Sequence, residues 1–547
     1  MIAPWEVDMN IVLRVLAAIA LGTVCLPLLA INHMDLIATM YGEFTGNEFG
    51  ASLVSMDFNG DGYDDLIVKA PLWHPDNLIG QYYEMYGKIY FYWGGPGFDN
   101  IPDFVIEGQH PKHFATDTYS RRENPMVNAG DLNNDGIEDL IIPQRTADGT
   151  RTVSVYFGRT NPQTTPDIEL LYPYPETNKV YVYPLGDINQ DGKSDVSINL
   201  NPGPSAQYLS ILLWTDILAQ PVMFRRHSWF SSLCGVGDVN GDGYGDVGHY
   251  TQVETTRTFT LFYGDASSTM SDSLVLGIDS VATDYYSTPL GDVNGDGFND
   301  FLSWNDKIWF GGTNISSTPN VVLQRSPMLS FCYGMWPSAV RGDFNNDGYM
   351  DISGADNMIY GNSGMAGIWL GSPVMNGIAD LLINPPSDYM YRNFGWGKAA
   401  GDFNGDGFCD LAFGAPLFDQ GDHWHTEGRV FVHAGNAELI DTTVSNEDEL
   451  IPTADPKDWS IKIYPNPFRG GTLHIEVDKT EDISPKPDYI SLYNLKGQLV
   501  MQCETRDKDW QSGTLELALP DMPNGVYILK LSDRKGHSTS TKIVISH

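Results

Sequence analysis

Short apolar runs bounded by glycine, asparagine and aspartate recur along the first four-fifths of the chain. Leu66-Ile67-Val68, Leu140-Ile141-Ile142 and Leu411-Ala412-Phe413 are too short for helices and read as buried strands. A second, aromatic set follows them, as in Lys88-Ile89-Tyr90-Phe91-Tyr92-Trp93, Val153-Ser154-Val155-Tyr156-Phe157 and Gly367-Ile368-Trp369-Leu370. Six of seven such runs end at glycine: Gly94, Gly158, Gly264, Gly311, Gly371 and Gly435. With a strand before and a weaker strand after, the pattern predicts a four-strand unit of about 57 residues, within the range of propeller blades. The seventh unit lacks a fourth strand after Gly435. Leu36-Ile37-Ala38-Thr39-Met40 is expected to supply it and close the ring, which removes an exposed edge.

Between the first two strands of every unit lies a nine-residue loop beginning at Asp57, Asp131, Asp187, Asp238, Asp292, Asp343 or Asp402. Oxygen-bearing side chains at positions one, three, five and nine, with glycine at six, are what a hard cation requires. The candidate ligands are Asp57, Asn59, Asp61 and Asp65; Asp131, Asn133, Asp135 and Asp139; Asp187, Asn189, Asp191 and Asp195; Asp238, Asn240, Asp242 and Asp246; Asp292, Asn294, Asp296 and Asp300; Asp343, Asn345, Asp347 and Asp351; and Asp402, Asn404, Asp406 and Asp410. About seven structural calcium ions are expected. An EF-hand is excluded, because position twelve is Val68, Ile142, Ile198, His249, Ser303, Gly354 or Phe413 and never the bidentate glutamate.

Phe49-Gly50 before the first loop with Ala70-Pro71 after it, and Phe394-Gly395 with Gly414-Ala415-Pro416 around the seventh, resemble the FG-GAP repeats of integrin α-subunit propellers and their bacterial relatives. The resemblance implies a seven-bladed β-propeller with its metal hairpins on one face and ligands on the opposite one. Repeats two to six lack Phe-Gly and a full Gly-Ala-Pro.

After Gly435 the composition changes to a polar stretch and then to β-type segments such as Leu473–Val477, Tyr489–Asn494 and Val526–Leu531, expected to pack as a small seven-stranded sandwich. Ile463-Tyr464-Pro465-Asn466-Pro467-Phe468, Leu492–Val500 and Gly525–Lys530 resemble the type IX secretion C-terminal sorting domain. That likeness implies the type IX machinery as a partner and a secreted or outer cell-surface location. The expected organisation is a signal peptide at 1–30, a propeller at 31–436, a linker at 437–458 and a sorting domain at 459–547. Val15–Ala30, preceded by Arg14, suits a secretory h-region, and no later segment is long and apolar enough to span a bilayer.

The net charge of −38 argues against nucleic acid or anionic lipid as partner. No serine nucleophile elbow, zinc-protease helix or phosphate loop occurs, so no catalytic residue is assigned. The non-calcium face should hold the longest insertions. Trp73, His74, Tyr82, Tyr83, Arg121, Trp229, Tyr391, His423 and Trp424 are the candidates there for an extracellular polysaccharide or protein ligand, through exposed rings that stack beside polar neighbours. The sequence therefore reads as all-β, a seven-bladed propeller followed by a small β-sandwich, acting in recognition or adhesion. A polysaccharide lyase or hydrolase on the same scaffold and a structural surface-layer component are the alternatives.

Overall fold

A computed structural model describes residues 33–440 and 460–545, apart from residue 45 and the segments 78–83, 115–124, 172–178, 202–208, 214–221, 227–230, 254–255, 267–271, 280–286, 304–305, 324–338, 357–363, 386–392, 419–426, 465–471, 479–486, 495–498, 506–509, 512–513, 520–524 and 533–537. The expected signal peptide lies outside the described residues. The chain divides into two compact units, Met1–Asp441 and Thr442–His547.

In the first unit the described residues form seven four-stranded antiparallel sheets. Six take their strands in chain order, as in Ser52–Met56, Asp65–Ala70, Lys88–Tyr92 and Phe104–Glu107. The seventh joins Lys398–Gly401, Asp410–Ala415 and Arg429–Ala434 to Asp35–Tyr41 from the start of the chain, with Thr39 opposite Phe431 and Met40 opposite Val430. The innermost strands, Ser52–Met56, Val127–Asn128, Lys179–Gly186, Ser231–Gly237, Ser287–Gly291, Ala339–Gly342 and Lys398–Gly401, neighbour one another in that order, and the last returns to the first. This is a β-propeller.

Each core lies between two sheets, because a sheet covered on both faces must be apolar on both. Leu66, Ile67 and Val68 are all fully buried, and they divide between two cores. Leu66 and Val68 pack with Met40, Ala412 and Val430 of the seventh sheet, whereas Ile67 packs towards the second with Met126, Leu140 and Ile142.

The Phe-Gly and Gly-Ala-Pro elements meet across this interface. Phe49 is fully buried and bridges to Gly428, while a Cβ on Gly414 would stand 2.0 Å from the Gly50 carbonyl oxygen. No side chain fits there, so glycine is dictated by the close approach of two backbones. Leu439, inside the expected linker, is buried against Phe344 and Phe431, and the compact unit accordingly extends past residue 436.

The second unit is a sandwich. One sheet holds Ser460–Tyr464, Thr472–Asp478, Thr514–Ala518 and Trp510–Gln511, and the other holds Leu499–Glu504, Tyr489–Asn494, Gly525–Ser532 and Ser538–Ile545. Leu473, Ile475, Ile490, Leu492, Leu515, Leu529, Leu531 and Ile543 fill the space between them. The described strands number eight where seven were expected. Two residues, Trp510 and Gln511, are too short a strand to show a period of two.

Removing Asp35–Tyr41 leaves Arg429–Ala434 as an open edge and uncovers the core around Met40. The truncated protein should melt at lower temperature and self-associate in light scattering as concentration rises. A monomer with an unchanged melt would show that the terminal strand does not close the sheet.

Candidate functional site

All seven loops share one conformation. Position four is left-handed, with φ of 74° at Gly60, 60° at Asn134, 57° at Gln190 and 55° at Asn346. Glycine, asparagine and glutamine are the residues found there, in keeping with the low cost of that region for glycine and the local bonding of asparagine. Position six is glycine throughout, with φ between 85° at Gly192 and 92° at Gly62. The loop amides therefore turn inward onto the side chains of positions one, three and five.

In each loop the position-one aspartate accepts the position-five N–H on Oδ1 at 3.0–3.2 Å and the position-six N–H on Oδ2 at 2.8–2.9 Å. The position-three asparagine accepts the position-five N–H and donates Nδ2–H to the position-five carboxylate, as in Asn240 with Asp242 at 2.9 and 2.8 Å. Position five accepts the N–H of position seven, for example Tyr244 onto Asp242 at 3.0 Å. Among the described residues no group of three or more His, Cys, Asp or Glu side chains is arranged as a metal centre. The donors gathered in each loop are two aspartates around an asparagine, all oxygen in kind, which is the set a hard divalent cation prefers.

Position nine has a second use that the sequence reading did not find. Asp65, Asp139, Asp195, Asp246, Asp300, Asp351 and Asp410 are all fully buried. Oδ2 accepts the N–H of position two at 2.8–3.1 Å. Oδ1 accepts the N–H of the glycine ending the third strand at 2.7–3.0 Å, namely Gly94, Gly158, Gly264, Gly311, Gly371 and Gly435. The third repeat has no such glycine, and there Asp195 Oδ1 has no partner among the described residues. One carboxylate thus ties the entry of the loop to the end of the third strand. Burial pushes these carboxyls up to about 7, and Asp351 to about 8; the loop's other aspartates push the same way and the backbone N–H groups oppose.

The loops are also chained to one another. The N–H of position eight donates to the position-one carbonyl of the preceding loop: Ser194 to Asp131, Gly245 to Asp187, Asn299 to Asp238, Met350 to Asp292 and Cys409 to Asp343, at 2.7–3.3 Å. Two carboxylates complete the circle, Glu138 Oε2 accepting from Asp57 N at 3.2 Å and Asp64 Oδ2 from Asp402 N at 2.9 Å. A further brace precedes the fourth strand, where Asp103, Asp167, Asn320 and Asp380 each accept the N–H of the residue that follows the third strand, ten positions earlier, at 2.8–3.0 Å. That ten-residue spacing is readable in the sequence.

At the other ends of the strands, the structure corrects two of the expected ligand residues. Trp73 and His74 are each only 5% exposed. Trp73 donates Nε1–H to Glu43 Oε2 at 2.9 Å, and Glu43 Oε1 holds Lys88 Nζ at 2.7 Å. Lys88 also pairs with Glu107 at 3.0 Å and lies over the Trp73 and Tyr90 rings at 5.0 and 5.1 Å. Burial works to raise the Glu43 carboxyl, but the hydrogen bonds from Lys88 and Trp73 outweigh it and leave the carboxyl below its ordinary value. His74 stands edge-on to Tyr86 and accepts the Asp76 N–H on Nδ1 at 3.0 Å. Both side chains are spent on packing the connection down, so neither offers the free ring face a stacked ligand needs. Tyr82, Tyr83, Arg121, Trp229, Tyr391, His423 and Trp424 lie outside the described residues. His113 Nδ1 accepts the Gln109 N–H at 3.1 Å, and its ring stacks on Phe114. Burial, with His110 and Lys69 nearby, pushes its imidazole down to about 4.

Two family models match the chain. The FG-GAP repeat model matches residues 49–84 and 394–433, and the secretion system C-terminal sorting domain model matches residues 462–546. Among curated proteins the chain is similar to integrin alpha-5 of Xenopus laevis, 32% identical over 114 residues that make up 20% of this chain and 10% of the integrin. It is likewise similar to integrin alpha-PS5 of Drosophila melanogaster, 31% identical over 177 residues, or 31% of this chain and 16% of that one. The chain thus spans only a small fraction of the length of these relatives. A solved structure of BBS1N in complex with ARL6DN aligns over 75% of this chain and 96% of its own at 11% identity, with a TM-score of 0.37 that supports no functional argument. The chain carries FG-GAP repeats and a sorting domain that marks it for export by the type IX system to the secreted or cell-surface state. No helix among the described residues is long and apolar enough to cross a membrane.

Two measurements follow from this geometry. Asp246→Ala strands the Val239 and Gly264 N–H groups in the interior, which should cost about 2–4 kcal/mol in urea unfolding with or without added metal; a cost below about 0.5 kcal/mol would remove the brace. His113 binds fewer protons folded than unfolded between about 4 and 6.5, so stability should rise with pH across that window. His113→Gln should flatten that part of the pH profile, and an unaltered slope would assign it to other groups.

Proposed function

We propose that the protein is a secreted or cell-surface, calcium-stabilised propeller that binds an extracellular polysaccharide or protein, with the unit that ends at Asp441 as the binding module, 1–30 as a signal peptide, the stretch from there to 458 as a linker and 459–547 as the exported tail. The observation that carries the reading is the unequal use of the two ends of the propeller. At one end all seven loops repeat a single internally bonded arrangement, with the same residue types at positions one, three, five, six and nine. At the other end the connections differ in length and composition from sheet to sheet, and Trp73, Glu43 and Lys88 anchor the first of them rigidly.

Calcium in each loop would be held by positions one, three and five, for example Asp292, Asn294 and Asp296. The buried position-nine carboxylate stands behind them as the brace and as further negative charge. A bound divalent cation would supply charge neutralisation where three carboxylates crowd one turn and burial already disfavours the ionised form of the position-nine member, Asp300. The side chains of positions one, three and five then need only small rotations away from the loop amides, which the left-handed positions four and six hold in place. The seven sites are spent on structure, and recognition falls to the opposite connections, where Tyr391, His423 and Trp424 are the residues to test.

Chelation should lower the melting temperature, since an ion bound only to the native state contributes about 2.7 kcal/mol per site at a hundredfold excess over its Kd. An unchanged melt in excess EDTA would sink the calcium reading. For the ligand, the full-length secreted protein should be applied in calcium to a glycan and matrix-protein array. Binding that Trp424→Ala weakens while the melt is preserved supports recognition; a shortened glycan in the supernatant would replace it with a lyase or hydrolase.

A further inference from the structure

The seven innermost strands enclose a central cavity of ≈ 370 Å3. Strand register sorts its wall into layers. Arg341, paired with Ile352, shares its layer with Ser55, Asn128, Pro184, Gly235, Pro289 and Ala400, each paired with the first apolar residue after its own position-nine aspartate. All of them line the cavity. The others in this layer are short, so the arginine is its one long side chain and has the space they leave. It is solvent-exposed although it sits on an innermost strand, which means that it is exposed to the cavity.

The guanidinium has no hydrogen bond or ion pair with any described residue. In a chain of 70 acidic residues none is among those lining the cavity. Asn128 is already committed, donating to the Ser55 carbonyl at 3.1 Å and accepting from Gly130 N at 2.9 Å. The other cation of the wall, Lys398, donates to the Gly395 carbonyl at 3.1 Å. Arg341 is therefore a five-donor fork facing a confined, largely apolar space whose lining holds a few hydroxyls but no carboxylate. Crowding by the surrounding strands holds it below the ordinary arginine value, a penalty that a bound anion would offset.

We infer that the central channel is a binding site for a small ligand bearing an oxyanion, a carboxylate or a sulfate group, which Arg341 grips as a two-pronged donor while the apolar wall receives the rest of the molecule. A guanidinium matches such groups in plane and spacing, and a charge-assisted pair inside a low-dielectric space is stronger than one at the surface. The cavity volume is at the lower end of the range for ligand pockets and suits a compact molecule. The site differs from the recognition face proposed above, because Arg341 and the rest of its layer lie on the innermost strands and only Pro125 and Met126 of the lining belong to a connection.

The test uses the full chain in calcium-containing buffer, titrated calorimetrically with glucuronate and with sulfate, and with glucose as the neutral control. Saturable binding of glucuronate or sulfate but not glucose is expected, weakened about tenfold or more in Arg341→Ala. Binding of glucuronate alone would identify the carboxylate, and of sulfate alone the sulfate group. Ala400→Asp introduces a carboxylate in the same layer from the neighbouring sheet. It should abolish anion binding and raise the melting temperature while Arg341 remains, so the question stays answerable if Arg341→Ala fails to fold. No saturable binding of either anion to the unaltered protein, or binding unchanged in both variants, overturns the inference.

Discussion

A buried carboxylate accepting backbone N–H groups is the interaction on which the propeller depends. The position-nine aspartate stands where three chain segments must meet: the entry of the loop, the start of the second strand and the end of the third. Its Oδ2 fixes the first of these and its Oδ1 the last. Leaving these amides unpaired in the interior would cost more than the net value of an ordinary hydrogen bond, which is why the arrangement returns unit after unit. The third repeat shows the rule by its departure, for without the terminal glycine the corresponding Asp195 oxygen finds no acceptor role among the described residues.

The same carboxylates carry a liability that the fold must manage. Full burial beside two other aspartates raises them towards neutral pH. Either a proton or a cation would relieve the crowding, and the loop's all-oxygen lining is of the kind a hard divalent ion prefers. On the proposed reading, stability and metal binding would be one property of the loops, leaving the opposite end of the propeller free to vary.

Closure of the ring is achieved three times over by different chemistry. Strand pairing joins the N-terminal strand to the seventh sheet, backbone contact joins Phe49-Gly50 to Gly414, and hydrogen bonds pass from loop to loop through position eight. The first and last repeats alone match the FG-GAP model. They flank the junction where chain continuity contributes nothing, so the close glycine contact is retained most fully where the ring has to be joined without a covalent link. At the two links beside the first repeat, side-chain carboxylates of Glu138 and Asp64 stand in for the backbone carbonyl used elsewhere.

Local physics alone was sufficient for much of this. Apolar runs too short for helices fixed the strands, the aspartate loops fixed their spacing, and glycines at position six announced left-handed turns, because each of these depends on neighbours within a few residues. The all-β propeller and the C-terminal sorting domain were legible for that reason. What depended on distant partners was not. The sequence offered Trp73 and His74 as exposed aromatics in an insertion, but Glu43, Lys88 and Tyr86 bury them, and nothing near residue 73 in the chain says so. Position eight shows no common residue type, since its backbone and not its side chain makes most of the links. Nothing near residue 341 in the chain sets Arg341 apart; only the register of seven strands, setting it beside six short residues, makes it the one long side chain of its layer in the central cavity.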